Sequence, residues 1–238
     1  MSHGFRAIGC ATDVGAVRDH NEDAYRANAS GHLLVVADGM GGHAAGEVAS
    51  RITVDTVEAA VMAEGLDLVD ALARAHANVV SAGADGRGHA DMGTTCVACR
   101  TTVDGMQLAW VGDSRAYRYR GRTLEALTRD HSYVQSLVDA GVIDADRAES
   151  HPDRHILARC IGTSELSRSD IDRRAVAVGA GDRILLCSDG LTGQISAEAI
   201  GHILGAEGDD QEAADALVRA AVNAGGEDNV TVIVASVA

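Results

Sequence analysis

Three apolar runs in this sequence each stop at an aspartate with a glycine beside it: Leu33-Leu34-Val35-Val36-Ala37-Asp38-Gly39, Leu108-Ala109-Trp110-Val111-Gly112-Asp113 and Ile184-Leu185-Leu186-Cys187-Ser188-Asp189-Gly190. A fourth acid, Asp228, follows Gly225-Gly226-Glu227 and precedes Asn229-Val230-Thr231-Val232. Short apolar runs bounded by turn residues read as buried strands. A charge abutting a buried strand is costly unless it is paired or liganded. One Asp-Gly alone reads as a turn, but four such acids imply strand ends converging on a single carboxylate cluster. Oxygen donors of this kind suit hard divalent cations such as Mg2+ and Mn2+, completed by water and backbone carbonyl. Glycine beside the acid lets the main chain come close enough to offer that carbonyl.

Around these runs the periodicity alternates between strand and helix. Strands are expected at Ala7–Thr12, Ala24–Asn28 and Leu33–Ala37, then helices over Ala44–Ala63 and Leu66–Ser81. Val48, Ile52, Val57 and Val61 form the apolar stripe of the first helix, and Leu68, Leu72 and Val79 that of the second. After a glycine-rich loop, Gly83–Gly88, the strands Thr94–Thr101, Met106–Val111, Ala116–Arg120 and Thr123–Leu127 follow at short spacing and predict an antiparallel meander. Residues from about Asp130 to Gly162 are more polar, hold the only proline, Pro152, and carry a helix near Ser132–Ala140. A flap over a site is expected there, at about 130–165. Strands Arg173–Val178 and Arg183–Cys187, helices Ala197–Leu204 and Asp210–Asn223, and a last strand Asn229–Val237 complete the chain. Gly225-Gly226 stops the final helix. Helix pairs separated by many strands imply an α+β sandwich with antiparallel sheets inside and helix pairs outside.

A chain of 238 residues fits one large domain, expected to span 1–238. Its net charge is −15, and all 20 basic residues are arginine. Nucleic acid is therefore not expected as a partner, because neutralising phosphates there needs a basic face. The same charge would repel an anionic substrate unless bound cations reverse the sign locally. No apolar run approaches the roughly 20 residues that span a bilayer, and Met1–Arg6 lacks the apolar stretch of a secretion signal. A cytoplasmic protein without a membrane partner is expected. The five cysteines, an odd number without secretory context, read as reduced thiols. Cys96 and Cys99 form a C-x-x-C, but residues three apart on a strand face opposite sides, so both are expected to be structural.

Two further patterns compete for attention. Leu33–Ala37 followed by Gly39-Met40-Gly41-Gly42-His43-Ala44 fits G-x-G-x-x-A between strand and helix, the fingerprint of a dinucleotide-binding oxidoreductase. That fold needs a second, parallel strand ending in an acid about 20 residues on, whereas Asp55 and Glu58 fall inside a helical pattern. His151 and His155 sit four apart, a spacing that can bind zinc, but no surrounding ligand set accompanies them. They read as solvated features of the flap.

Six motifs in order carry a resemblance: Arg18-Asp19-His20-Asn21-Glu22-Asp23, Val36-Ala37-Asp38-Gly39-Met40-Gly41-Gly42-His43, Met92-Gly93-Thr94-Thr95, Val111-Gly112-Asp113-Ser114-Arg115, Ser188-Asp189-Gly190-Leu191 and Gly226-Glu227-Asp228-Asn229-Val230-Thr231. They closely resemble those of the metal-dependent serine/threonine protein phosphatases of the 2C type, in their bacterial form. The match runs from about Gly9 to Val234; any one motif is weak, and the ordered set is specific. The resemblance implies a four-layer α-β-β-α sandwich of two antiparallel sheets flanked by helix pairs, in agreement with the pattern above. It also implies a binuclear Mn2+/Mg2+ centre bridged by Asp38, with the Gly39 carbonyl on the first ion and Asp189 and Asp228 on the second. A third, weaker ion would sit between Asp113 and Asp189. Glu22 would hold a metal-bound water, with Asp23 and Asn229 around it. Arg18 would grip the phosphate, a task suited to a guanidinium fork.

A water bridging two ions about 3.5–4 Å apart would be acidified and aimed at phosphorus. It would hydrolyse phosphoserine and phosphothreonine in proteins without a covalent phosphoenzyme, and the ions would offset the repulsion of so acidic a chain. Met40 stands where eukaryotic relatives have a histidine proposed as general acid; a thioether donates no proton, and a metal-bound water could serve. His43 reads as a structural residue at a helix start. His131, in Thr128-Arg129-Asp130-His131, matches a family pattern to which no role is attached. The implied partners are phosphorylated proteins, including those of eukaryotic-like Ser/Thr kinases, with an anti-sigma antagonist of a stress-response pathway as the alternative substrate. A monomer is the expected state.

Overall fold

In the computed structural model, which describes residues 4–41, 45–148, 150–163, 166–206 and 208–238, two antiparallel sheets lie face to face with helices on both outer sides. The chain begins with strands β1 (Phe5–Asp13), β2 (Asp23–Asn28) and β3 (Leu33–Met40), followed by helices α1 (Ala45–Met62) and α2 (Leu68–Ala84). Strands β4 (Gly93–Thr94), β5 (Cys96–Thr102), β6 (Gly105–Val111), β7 (Arg115–Arg120) and β8 (Thr123–Ala126) come next. Short helices α3 (Tyr133–Asp139) and α4 (Ala145–Ala148) precede β9 (Asp172–Val176) and β10 (Arg183–Cys187). The one-turn helix α5 (Asp189–Thr192), then α6 (Ala197–Gly205), α7 (Asp210–Ala224) and β11 (Val230–Val237) complete it. One sheet has the order β1-β11-β10-β7-β8; the other runs β2-β3-β5-β6-β9, with β4 paired to β3.

The uninterrupted apolar runs follow from this layering, because the central strands are covered on both faces. Leu33, Val35 and Ala37 of β3 pack under α1 and α2, while Leu34 and Val36 point between the sheets. In β10 the alternation repeats: Ile184 and Leu186 face the other sheet, and Leu185 and Cys187 face α6 and α7. Leu185 and Leu186 are both fully buried, each side chain contributing about 1.5–3 kcal/mol. The same rule separates Cys96, on the helix side of β5, from Cys99, between the sheets. The two thiols of the C-x-x-C therefore lie on opposite faces, as strand geometry requires.

Three details depart from the sequence reading. The expected meander is split, with β5 and β6 in one sheet and β7 and β8 in the other. The crossing occurs at Gly112, whose φ of 101° favours glycine and where a Cβ would meet the Thr95 side chain at 2.6 Å. Short spacing signals a hairpin but does not separate a tight turn from a three-residue step between layers. Strand β3 also runs past Asp38 to Met40, pairing Gly39 with Thr94 instead of turning, and α2 continues to Ala84, into the expected loop. Because β3 pairs antiparallel with both β2 and β5, it has no place in a parallel dinucleotide-binding unit. Among the described residues no helix is long and apolar enough to cross a membrane.

Candidate active site

Asp38 sits near the end of β3, directly across from Asp23 of β2. Its backbone is fixed from the β4–β5 side: the Asp38 N–H donates to Thr95 Oγ1 at 3.1 Å, and its carbonyl accepts from Thr95 N and Thr94 Oγ1, both at 2.8 Å. The next residue is held as tightly. A Cβ on Gly39 would lie 2.2 Å from the Gly46 carbonyl oxygen and 2.5 Å from that of Glu22. Helix α1 thus begins on bare backbone, and only glycine fits. The Glu22 carbonyl in turn accepts from Gly39 N at 3.2 Å and Ser50 Oγ at 2.6 Å.

Asp189 opens α5, immediately after Ser188, which follows β10 and stands at the N-cap of that helix. Ser188 ties three strands together: its N–H donates to Thr231 O at 3.0 Å, and its Oγ accepts from Thr231 N at 3.0 Å while donating to Asp23 Oδ2 at 2.8 Å, across to the other sheet. A Cβ on Gly190 would strike the Asn229 carbonyl oxygen at 1.9 Å, so α5 packs directly on the start of β11. Asn229 is a hub there: its Oδ1 accepts from Glu22 N at 2.8 Å, and its Nδ2 donates to Val14 O at 2.9 Å and His20 O at 2.8 Å. Next to it, Asp228 Oδ1 accepts from Asn229 N, and Oδ2 accepts from Arg18 Nη2 at 2.8 Å. The Arg18 side chain is half exposed.

Asp113 lies in the crossing loop between the sheets. Thr95 Oγ1 and Ser114 Oγ share a buried hydrogen bond of 2.7 Å on one side of it. On the other, the Gly112 N–H donates to His131 Nδ1 at 3.2 Å while Gly112 O accepts from His131 N at 2.9 Å. His131 stacks on Trp110 and turns Nε2 toward Asp172 at 3.4 Å. The histidine without a sequence-assigned role therefore clamps the loop that carries Asp113.

These side chains line one cleft of about 520 Å3, which holds Arg18, Glu22, Asp38, Gly39, Asp113, Asp189 and Asp228; Asp23 and Asn229 stand just behind. Burial, then the charges of Asp23, Asp189, Asp113 and Asp228, push the Asp38 carboxyl well above the usual range. Burial and the neighbouring acids likewise raise Asp23, Asp113 and Asp189, and burial raises Glu22. Asp23 Oδ1 is buried without a hydrogen-bond partner. The site therefore carries more negative charge than its protein surroundings balance. Among the described residues no three His, Cys, Asp or Glu side chains already enclose one point, so the oxygens face an open cleft, not a closed cage.

The lining residues not singled out as site residues include Gly193 and Gln194, after α5, and Arg154, His155 and Leu157, from the segment between β8 and β9. The sequence drew attention to this stretch but carries no period that says which way its side chains turn. His155 faces the cleft near Asp189. His151 instead accepts from Asp153 N at 3.1 Å, so the two histidines make no zinc pair. Met40 also lines the cleft; His43 lies outside the described residues. No cysteine among the described residues reaches it; burial pushes the Cys10 thiol up to about 11 and Cys187 to about 12, which leaves both protonated.

Comparison with known proteins places this arrangement. Residues 16–219 match the family model described as protein phosphatase 2C. The serine/threonine protein phosphatase PstP of Mycobacterium tuberculosis is 41% identical over 231 residues, which cover 95% of this chain but 44% of PstP. The chain thus spans less than half the length of that relative. Protein phosphatase PhpP of Streptococcus pneumoniae is 35% identical over 240 residues, 96% of each chain. The crystal structure of the PstP catalytic domain in complex with two manganese ions superposes with a TM-score of 0.86 and 36% identity, covering 99% of both chains.

Proposed function

The chain belongs to the protein phosphatase 2C family, and we propose that it hydrolyses phosphoserine and phosphothreonine in proteins with the help of bound Mn2+ or Mg2+. The observation that carries this reading is the convergence of Asp38, Asp113, Asp189 and Asp228, from four separate parts of the fold, on one cleft whose negative charge is unbalanced. The donor set is all oxygen, which suits hard divalent cations, and Gly39, beside Asp38, lines the same cleft. Asp38 and Gly39 would hold the first ion, Asp38, Asp189 and Asp228 the second, and Asp113 with Asp189 a weaker third. Such ions, when bound, acidify water and neutralise phosphoryl oxygens.

The chain's own residues do the rest. Asp38 is aimed by Thr94 and Thr95, and Asp23 by Ser188. Glu22, set by Asn229, orients water within the cleft. Arg18, half exposed at the rim, swings its fork from Asp228 to the phosphoryl oxygens. Met40 has no proton to give, so the departing serine or threonine oxygen takes one from water. We assign the 238 residues to one catalytic domain, with the segment at about 130–165 as a flap over the cleft. Its substrates would be phosphoproteins, on which it would oppose Ser/Thr kinases in the cytoplasm, acting as a monomer. The test is hydrolysis of phosphothreonine peptides with Mn2+: activity should vanish in EDTA and return with added Mn2+. Activity undiminished in EDTA would sink the metal-dependent reading.

A further inference from the structure

Asp113 stands on a three-residue step, 112–114, between the end of β6 at Val111 and the start of β7 at Arg115. The φ of 101° at Gly112 calls for glycine, yet glycine is also the residue with the most backbone freedom to lose. His131 takes that freedom away. Its Nδ1 accepts from Gly112 N at 3.2 Å, which fixes the peptide plane before the glycine. Its own N–H donates to Gly112 O at 2.9 Å, which fixes the plane after it, the one from which Asp113 extends. The imidazole is buried and stacked on Trp110, with ring centres 6.3 Å apart and planes 23° from parallel. Trp110 is itself anchored, through Nε1 to Arg129 O at 2.8 Å. An Nδ1 that accepts carries no proton, so the neutral ring holds its hydrogen on Nε2, toward Asp172 at 3.4 Å. Burial keeps the imidazole below its ordinary pKa, against the pull of Asp172.

We propose that His131 is a positioning residue of the cleft: its Nδ1 lone pair holds the 112–114 step in the turn that presents Asp113 beside Asp189, and so sets how tightly these two carboxylates take a cation. The inference rests on the phosphatase reading above and on its assignment of a weaker third ion to this pair. Both carboxylates line the same cleft, and after burial it is the Asp189 charge that does most to raise the Asp113 carboxyl. Without the clamp, the glycine step would sample other turns. The cation would then bind only the fraction of molecules with Asp113 in place, and its affinity would fall by that fraction. Asp38 does not depend on residue 131, because Thr94 and Thr95 brace it instead. Two contributions of the ring are separable: its shape, stacked on Trp110, and its lone pair, on Gly112.

The experiment titrates metal-free protein with Mn2+ in a calorimeter and compares three variants. His131→Phe keeps the stacked ring and loses the lone pair. His131→Asn loses the ring and keeps an acceptor at the place of Nδ1. Asp113→Asn removes the carboxylate itself. The weakest Mn2+ site of the unmodified protein should vanish in Asp113→Asn, weaken by about tenfold or more in His131→Phe, and stay within about threefold in His131→Asn. The tighter sites should not change in either His131 variant, and His131→Phe added to Asp113→Asn should change nothing further. A weakest site indifferent to His131→Phe overturns the proposal, as does one weakened equally by His131→Asn, since the ring's shape would then be what matters. So does an unmodified protein that binds two Mn2+ and loses neither in Asp113→Asn. The unmodified protein also gives a reading free of any folding defect: imidazole 15N NMR should show His131 neutral with its proton on Nε2, and a proton on Nδ1 overturns the proposal. Failure of the unmodified protein to bind any Mn2+ would instead overturn the phosphatase reading.

Discussion

On one side of the cleft, Asp23, Asp38, Asp189 and Asn229 stand at the ends of strands from both sheets. Their neighbourhood is cross-braced by Thr94, Thr95 and Ser188 and by glycines that admit no side chain. On the other side, Arg154, His155 and Leu157 come from the segment between β8 and β9. That segment is tied to the rest near its ends, where His131 N bonds Gly112 O, Ile161 exchanges two bonds with Thr94 and Gly162 N donates to His76 Nδ1, while Tyr133 N to Ile156 O and Ala158 N to His131 O close it on itself. The residues between, including α4, are largely exposed. The first wall gathers like charges and so needs an over-determined frame to keep them together. The second gathers no such repulsion and can differ in position and sequence without unravelling the core. The braced wall holds the carboxylates together, and the looser wall adds Arg154, His155 and Leu157 to the cleft.

The contrast is sharpest for Asp38→Asn and Asp189→Asn. Each removes an oxygen charge needed to hold cations, so kcat should fall by about 100-fold or more, several kcal/mol of lost charge stabilisation. The metal-free protein should nevertheless melt no lower than before, since the change relieves a repulsion. Retained activity, or a large drop in melting temperature in EDTA, would contradict the account.

The braced wall is also the part most legible in the sequence. Three apolar runs ending in Asp beside Gly located β3, β6 and β10 and their acids, because strands buried on both faces admit no polar interruption. The same runs conceal which sheet each strand joins, and so the crossing at Gly112 read as part of a meander. Asp38-Gly39 read as a strand end because the tight approach of Gly46 is a contact between elements, invisible to local pattern. Ser188 and Thr95 stood inside quoted motifs, but their bonding across layers depends on tertiary placement. The looser wall has no periodicity, so the orientation of His155 could not be read at all.

Ser188→Ala tests the bracing itself. It strips a buried bond from Asp23 and another from Thr231 N, which should cost about 1–3 kcal/mol of stability. As support for charged neighbours, its loss should also reduce activity by about 10–100-fold. An unchanged melting temperature with full activity would mean that the frame is redundant.

A gentler probe is pH. The unfolded chain's aspartates titrate near 4, while burial and nearby carboxylates raise Asp113 to about 8 in the folded, metal-free state. Between those values the folded form binds more protons than the unfolded, so stability is lost as pH rises. Carboxyls whose values are lowered, such as Asp182 beside Arg120, act below this window and do not mask it. In EDTA the melting temperature should decline from about pH 5 to 8, and Asp113→Asn should flatten the slope. A melting temperature that climbs over that range would sink the idea.

The smallest effect is expected at His155. It lines the cleft near Asp189, the place where a proton donor would be wanted, since Met40 cannot supply one. A general acid contributes about 10^2–10^4-fold, whereas a lining residue that only shapes the cleft contributes far less. His155 is exposed, so His155→Gln should leave stability within about 0.5 kcal/mol, as surface substitutions do. If water delivers the proton, kcat should drop by less than about tenfold, well short of the general-acid range, and the acid limb of the pH–rate profile should not move. A drop beyond about 100-fold that is confined to substrates with poor leaving groups would put the proton on His155. It would also move part of the chemistry to the looser wall.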